Sequence, residues 1–319
     1  MSHPPPPCAS ILDAIGNTPL LELRHLVPRN AGRVLIKLES ANPSGSMKDR
    51  MALAMIEAAE RDGRLPAGGP VVEYTGGSTG VSLAQVCRAK GHPLFLVTND
   101  VVSPDKRGHM RALGATVTVL ESSSGKLEES LTRRMIDAAA RIQADTGAYW
   151  TDQLNNADQI GGYETLGEEL WTQTNEAIDA FVQCVGTGGS LRGVGGTLRE
   201  HDATVRLTAI EPAESAVLSG RPSGPHQIEG VGAGFVVPLW DPDLVDAVAT
   251  VSTDDAMAMC RRLAAEEALF AGTSTGANVT VALATALRLG PGTTTVCLAC
   301  DTGMKYLGTR LYGPAAGAS

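Results

Sequence analysis

Residues 177–193 read AIDAFVQCVGTGGSLRG. The first nine form an apolar run of strand length, the next four hold three glycines, and Leu191 opens a segment of helical period reaching His201. A strand that breaks into a glycine turn and then a helix is the unit of a parallel sheet, because parallel strands need a crossover between them.

Outward from this stretch the alternation fills the chain. RVLIKLE (33–39), VVEY (71–74), LFLVTN (94–99), TVTVL (116–120), VRLTAIE (205–211) and residues 294–299 read as strands. Met47–Arg61, Thr79–Lys90, Pro104–Leu113, Lys126–Thr146, 254–269 and 276–289 read as helices. Two such series meet near 145–160, which predicts two α/β domains with a cleft between them and sites where strand ends meet helix starts.

At 319 residues, 43% hydrophobic and 19% charged, the composition is that of a soluble globular protein. A formal charge of -9 makes nucleic acid and anionic membrane surfaces poor partners. No apolar run reaches the length of a spanning helix, and MSHPPPPCAS lacks the pattern of a secretory leader, so a cytoplasmic location is expected. Its proline run reads as a stiff lead-in. Six cysteines suit a reduced compartment; the Cys297/Cys300 pair ends a buried strand and reads as core thiols, and no metal site is expected.

Four junctions rich in Gly, Ser and Thr stand out as strand-to-helix loops: SGSMKD (44–49), TGGSTG (75–80), GTGGSLRG (186–193) and GTSTGAN (272–278). Glycines in the third let backbone N–H groups approach an anion at a helix start, so a phosphate is its natural guest. A dinucleotide reading finds Gly186, Gly188 and a distant Glu211, but Leu191 stands where the third glycine belongs. The second loop offers hydroxyls and backbone donors together, which suits a carboxylate. Gly76–Gly80 and Gly272–Gly276 also spell G-x-S-x-G, the hydrolase elbow. No histidine follows Ser274, and none of His92, His109, His201 or His226 sits in a recognisable setting for Ser78. Lys48, at a helix start, has its ammonium disfavoured by the dipole and by burial. A neutral amine there can form a Schiff base. Together with a phosphate loop, it suggests pyridoxal phosphate.

Asn42-Pro43…Lys48-Asp49-Arg50, TGGSTG, DQLNNADQ (152–159), GTGGS and IEGVGAGF (228–235) follow one another between IGNTPL (15–20) and DTGMKYL (301–307). In this order the chain resembles the cysteine synthase (O-acetylserine sulfhydrylase) and cystathionine β-synthase family of fold-type II pyridoxal-phosphate enzymes. The resemblance implies a tryptophan synthase β-like α/β fold of two three-layer α/β/α domains with mostly parallel twisted sheets and the cofactor between them. It implies a smaller, mobile carboxylate-binding domain at 40–147 and a larger phosphate-binding one at 1–39 plus 148–319. Lys48 takes the place of the lysine that carries the cofactor, Gly186, Thr187, Gly188, Gly189 and Ser190 that of the phosphate cup, and Ser274 that of the hydroxyl facing the pyridine nitrogen. Thr75, Gly76, Gly77, Ser78, Thr79 and Gln153 match the carboxylate contacts, and Gly230 the amino-group side.

The activity so implied is β-replacement through an aminoacrylate, with O-acetyl-L-serine and sulfide giving L-cysteine and acetate. Cystathionine formation, other β-eliminations and replacements on phosphoserine or cysteine, cyanoalanine or 2,3-diaminopropionate chemistry are the alternatives. A small amino acid and a small nucleophile are the expected ligands, a homodimer the expected assembly, and a serine acetyltransferase a candidate partner. The departures are Ser78 for the family's Asn, Gly76 for its Ser, Tyr74 for a small residue and Cys300 for Pro.

Overall fold

A computed structural model describes residues 7–122 and 129–313. The first six residues and the expected start of the long helix at 126 lie outside them.

Two sheets organise the chain. The first contains β1 (Leu20–Glu22) and β2 (Arg33–Lys37); the second is built from β3 (Val71–Tyr74), β4 (Leu94–Asn99), β5 (Thr116–Leu120) and β6 (Tyr149–Trp150). The chain then returns to the first sheet with β7 (Ala180–Cys184), β8 (Arg206–Pro212), β9 (Ala247–Val251) and β10 (Thr294–Leu298). The six-stranded order is β1-β2-β10-β7-β8-β9 and the four-stranded order β5-β4-β3-β6. Only β1 runs antiparallel, pairing Leu20 with Lys37; the rest are parallel, for instance Val296 beside both Leu35 and Phe181.

The helices are α1 (Lys48–Arg61), α2 (Ser78–Lys90), α3 (Pro104–Ala112), α4 (Glu129–Thr146), α5 (Gln159–Gln173), α6 (Gly189–His201), α7 (Thr253–Glu266) and α8 (Thr273–Leu289). Several strands are shorter than their apolar runs: 33–39 ends at Lys37, where Glu39 turns into a short 3-10 helix, and 177–185 keeps only Ala180–Cys184. The helix expected at 254–269 stops at Glu266. The loop before α8 follows α7, so 272–278 joins two helices and not a strand to a helix.

α1 is the hub. It packs on α2 and on α5, and α5 packs on α6, so one apolar core runs between the two sheets. Met51, Met55 and Ile56 on α1 are fully buried, each contributing roughly 1.5–3 kcal/mol. Two glycines permit the close approach: a Cβ on Gly162 would lie 2.5 Å from the Arg50 carbonyl oxygen, and one on Gly193 would lie 2.6 Å from Tyr163 Cβ.

Charge is buried on the same helix. Arg50 bonds both oxygens of Glu39, at 2.7 and 2.9 Å, and both of Glu169, at 2.8 Å each. Lys37, fully buried on β2, reaches Glu169 at 2.6 Å and the Thr18 carbonyl at 2.7 Å. Burial works against ionisation of Glu169, but Arg50 and Lys37 hold its carboxyl down at about 2. This network ties the 15–20 segment, β2 and α5 to the first turn of α1.

Candidate active site

Three of the four glycine-rich loops leave the C-terminal ends of parallel strands, the usual place for a site in such sheets. Lys48 opens α1 after a loop laced to the end of the chain. Met47 N donates to the Cys300 carbonyl at 2.8 Å, Ser46 and Asp301 form an antiparallel bridge, and Thr302 N donates to the Gly45 carbonyl at 3.0 Å. Lys48 is half-buried, and its ammonium has no hydrogen-bonded partner among the described residues. Burial pushes its pKa down, with Cys300, Asp301 and Cys184 opposing. A free, destabilised ammonium is the state from which an amine nucleophile is easily made.

Loop 75–80 follows β3. Thr75 is pinned by its N–H to Val97 at 2.8 Å and accepts, through Oγ1, from Gly77 N at 3.0 Å and Gly80 N at 3.2 Å. Gly77, at φ 144°, opens α2 without a side-chain cap. The N–H groups of Ser78 and Thr79 therefore have no protein partner among the described residues, and they sit at the positive end of a helix. Ser78 Oγ donates to Asp301 Oδ2 at 3.4 Å, which joins this loop to the one around Lys48. A Cβ on Gly76 would meet nothing within 4 Å.

Gln153 is placed beside the same loop by Glu73, a fully buried residue of β3. Glu73 accepts from Tyr74 N (2.9 Å), Trp150 Nε1 (3.3 Å), Thr151 Oγ1 (2.6 Å) and Gln153 N (2.9 Å). Burial nevertheless pushes its carboxyl up to about 7. The Gln153 amide donates to the Tyr74 carbonyl at 2.9 Å, one residue before Thr75.

The cradle Gly186–Ser190 lies between β7 and α6. Gly188, at φ 91°, starts α6 without a side-chain cap. The N–H groups of Gly186, Thr187, Gly188, Ser190 and Leu191 have no protein partner among the described residues. Side chains are excluded here: a Cβ on Gly186 would strike the Gly230 carbonyl, and one on Gly189 would come within 2.5 Å of Gln159 Oε1. Gln159, fully buried at the start of α5, accepts from Thr187 Oγ1 at 2.5 Å and donates to the Gln153 and Asn156 carbonyls at 2.6 and 2.8 Å. It holds the cradle and the Gln153 segment together. Gly230, at φ 80°, is exposed beside them.

Ser274 is buried in the first turn of α8, next to Thr275, whose Oγ1 accepts from Cys300 N at 3.0 Å. Asn278 joins the set, donating to Gln183 Oε1 at 2.8 Å and to Cys300 Sγ at 3.4 Å, while Gln183 Nε2 reaches Ser190 Oγ at 3.3 Å. Cys297 is an ordinary core thiol, as expected. Cys300 is a buried core thiol too, and burial raises its pKa, with the charge of Lys48 opposing.

Gln159, Gln183, Asn278, Glu73 and Asp301 were not singled out by the sequence. They come from elements far apart along the chain, and each is a common residue type without a spacing signal of its own.

The rival readings lack their constellations. No histidine bonds Ser78 or Ser274 among the described residues: His92 meets Gly69 and Glu60, His201 meets Glu168, and His226 meets Gly232. Glu211 accepts from Leu218 N at 2.7 Å and from Ser219 Oγ at 2.5 Å, so it serves its own loop. No group of three His, Cys, Asp or Glu side chains able to hold a metal occurs among the described residues, and no helix there is long and apolar enough to cross a membrane.

An amine without a hydrogen-bonded partner, a glycine-rich cradle of unpaired N–H donors and a buried hydroxyl fit a phosphorylated aldehyde with an aromatic nitrogen. The family model described as "Pyridoxal-phosphate dependent enzyme" matches residues 11–301. The chain belongs to this family. It is 40% identical over 308 residues to a cysteine synthase of Staphylococcus aureus (strain N315), covering 96% of this chain and 97% of that protein. It superposes on the crystal structure of O-ureido-L-serine synthase with a TM-score of 0.91 at 35% identity, covering 98% and 97% of the two chains. O-acetyl serine sulfhydrylase isoform 3 from Entamoeba histolytica gives 0.91 at 33%, covering 100% and 96%. The protein is a fold-type II pyridoxal-phosphate enzyme, with pyridoxal phosphate as its cofactor.

Proposed function

We propose that the enzyme replaces the β-substituent of an O-activated L-serine, with O-acetyl-L-serine and sulfide giving L-cysteine and acetate. One observation carries this reading: Lys48, an unpartnered amine with a depressed pKa, follows a loop bonded to Cys300 and Asp301, and Ser78 on the carboxylate loop reaches the same Asp301.

Bound pyridoxal phosphate supplies the electron sink for bond breaking at the substrate α-carbon. Lys48 would hold the cofactor at rest and would serve as general base for the substrate α-proton. Gly186, Thr187, Gly188, Gly189 and Ser190 hold the phosphate. Ser274 offers the ring nitrogen a neutral hydroxyl. That hydroxyl would bring no counter-charge to the nitrogen, which would suit β-elimination and replacement better than transamination. Thr75, Gly76, Gly77, Ser78, Thr79 and Gln153 grip the carboxylate, with Gly230 on the amino-group side, and so fix the direction of the Cα–H bond. The unit 40–147 closes on the unit formed by 1–39 and 148–319 when substrate enters.

A second reading keeps the first half of the reaction and changes the nucleophile. Gly76 favours it, because the side chain missing there leaves open space, and O-ureido-L-serine synthase is among the similar structures.

Absorbance titration of the holoenzyme with O-acetyl-L-serine, L-serine, O-phospho-L-serine and L-cysteine tests the leaving group, and mass spectrometry after addition of sulfide tests the product. Borohydride reduction followed by peptide mapping is expected to place the cofactor on Lys48. An adduct elsewhere, or no spectral change with O-acetyl-L-serine, overturns the proposal.

A further inference from the structure

Loop 75–79 contains no charged residue, and neither does Gln153. An amino-acid carboxylate held there away from water lacks a formal counter-charge, which is costly. A cation lies against this loop. A methyl group on Gly77 would stand 3.2 Å from Lys106 Cδ and 3.5 Å from its Nζ.

Lys106 comes from α3, and its side chain is 3% exposed. The ammonium sits 4.6 Å from the centre of the Tyr306 ring, whose hydroxyl donates to Asp301 Oδ2 at 2.8 Å. Its one ion pair among the described residues is with Glu229, whose side chain is 41% exposed. The pair is thus asymmetric, a buried cation and a wet anion. Glu229 can turn outward into water, its side chain being already 41% exposed, provided another anion takes its place beside the buried ammonium; its backbone stays in place through N–H to Thr273 Oγ1 at 3.0 Å. Lys106 has no such exit.

We propose that Lys106 is a specificity-determining residue that recognises the substrate α-carboxylate at loop 75–79, exchanging Glu229 for the substrate. The inference rests on the reading of that loop as the carboxylate site.

The test compares L-serine with L-serinamide, which lacks the negative charge, by calorimetric titration of the holoenzyme. Wild type binds the acid more tightly than the amide. In Lys106→Met the Kd of L-serine rises roughly tenfold to a hundredfold, the Kd of L-serinamide stays within twofold, and the preference collapses. Glu229→Gln removes the competitor, so L-serine binds more tightly than in wild type. A structural ion pair gives the opposite sign for that variant, with weaker binding of both ligands, and overturns the inference. The Glu229 arm also stands alone if Lys106→Met fails to fold. A preference for the acid kept intact in Lys106→Met defeats the role of Lys106 alone. A wild type that does not distinguish acid from amide defeats the carboxylate reading of the loop, and this inference with it.

Discussion

Arg50 meets Glu169 as a fork, Nη1 to Oε1 and Nη2 to Oε2, each at 2.8 Å. The guanidinium also bonds both oxygens of Glu39, so the residue two positions after Lys48 is a buried clamp between α1, α5 and the short 3-10 helix that follows β2. Removing one partner of such a pair strands the other. Arg50→Ala is expected to cost about 3–5 kcal/mol, read as a lowered urea midpoint. Arg50→Lys is expected to recover less than half, because an ammonium cannot serve both carboxylates in plane.

The same fork sets an acid limit on stability. Glu169 titrates at about 2 in the folded protein against an ordinary 4.5. A lowered carboxyl pKa contributes stability above the ordinary value and loses it as pH falls from about 4.5 towards 2, up to about 3 kcal/mol. Thermal unfolding followed across that range in Glu169→Gln should show a shallower acid decline than wild type. Equal slopes would mean that the carboxyl is not held down.

How much of this was legible depends on locality. The α/β class follows from strand and helix periods that each occupy a few adjacent residues, and the loops at 44–49, 75–80 and 186–193 announce themselves by glycine. α5 was missed because its opening, QIGG, carries two poor helix formers, and it forms by packing on α1 and α6. β1 and β6 have three and two residues, too few to show a period. Lys37 is the buried charge of β2, and the partner that makes its burial tolerable, Glu169, belongs to that missed helix. Gln159 closes the DQLNNADQ segment, but its role depends on a turn that brings Thr187 to it.

The two neighbouring glycines of loop 75–80 should behave differently. Gly76→Ser adds a side chain where nothing lies within 4 Å, so unfolding free energy is expected to move by less than about 0.5 kcal/mol. Gly77→Ala must hold φ 144° with its Cβ against Lys106, and is expected to cost about 1–3 kcal/mol. Chemical denaturation of both variants checks the contrast, and equal losses would remove it.

Gln159→Ala should loosen the cradle without touching Lys48. Thr187 loses its acceptor and two backbone carbonyls lose their donor. About one hydrogen bond's net worth of positioning corresponds to a roughly tenfold higher Kd for pyridoxal phosphate, measured by fluorescence titration of the apoenzyme. An unchanged Kd would show that the cradle holds its shape alone.

The pairing of Ser46 and Met47 with Asp301 and Cys300 has a consequence for biosynthesis. A nascent chain stopped at residue 290 already contains Lys48 and the Gly186–Ser190 segment, but not the last strand or the residues that flank the lysine. A working centre therefore cannot assemble before residues 294–302 have been made, and a polypeptide lacking them leaves Lys48 unframed.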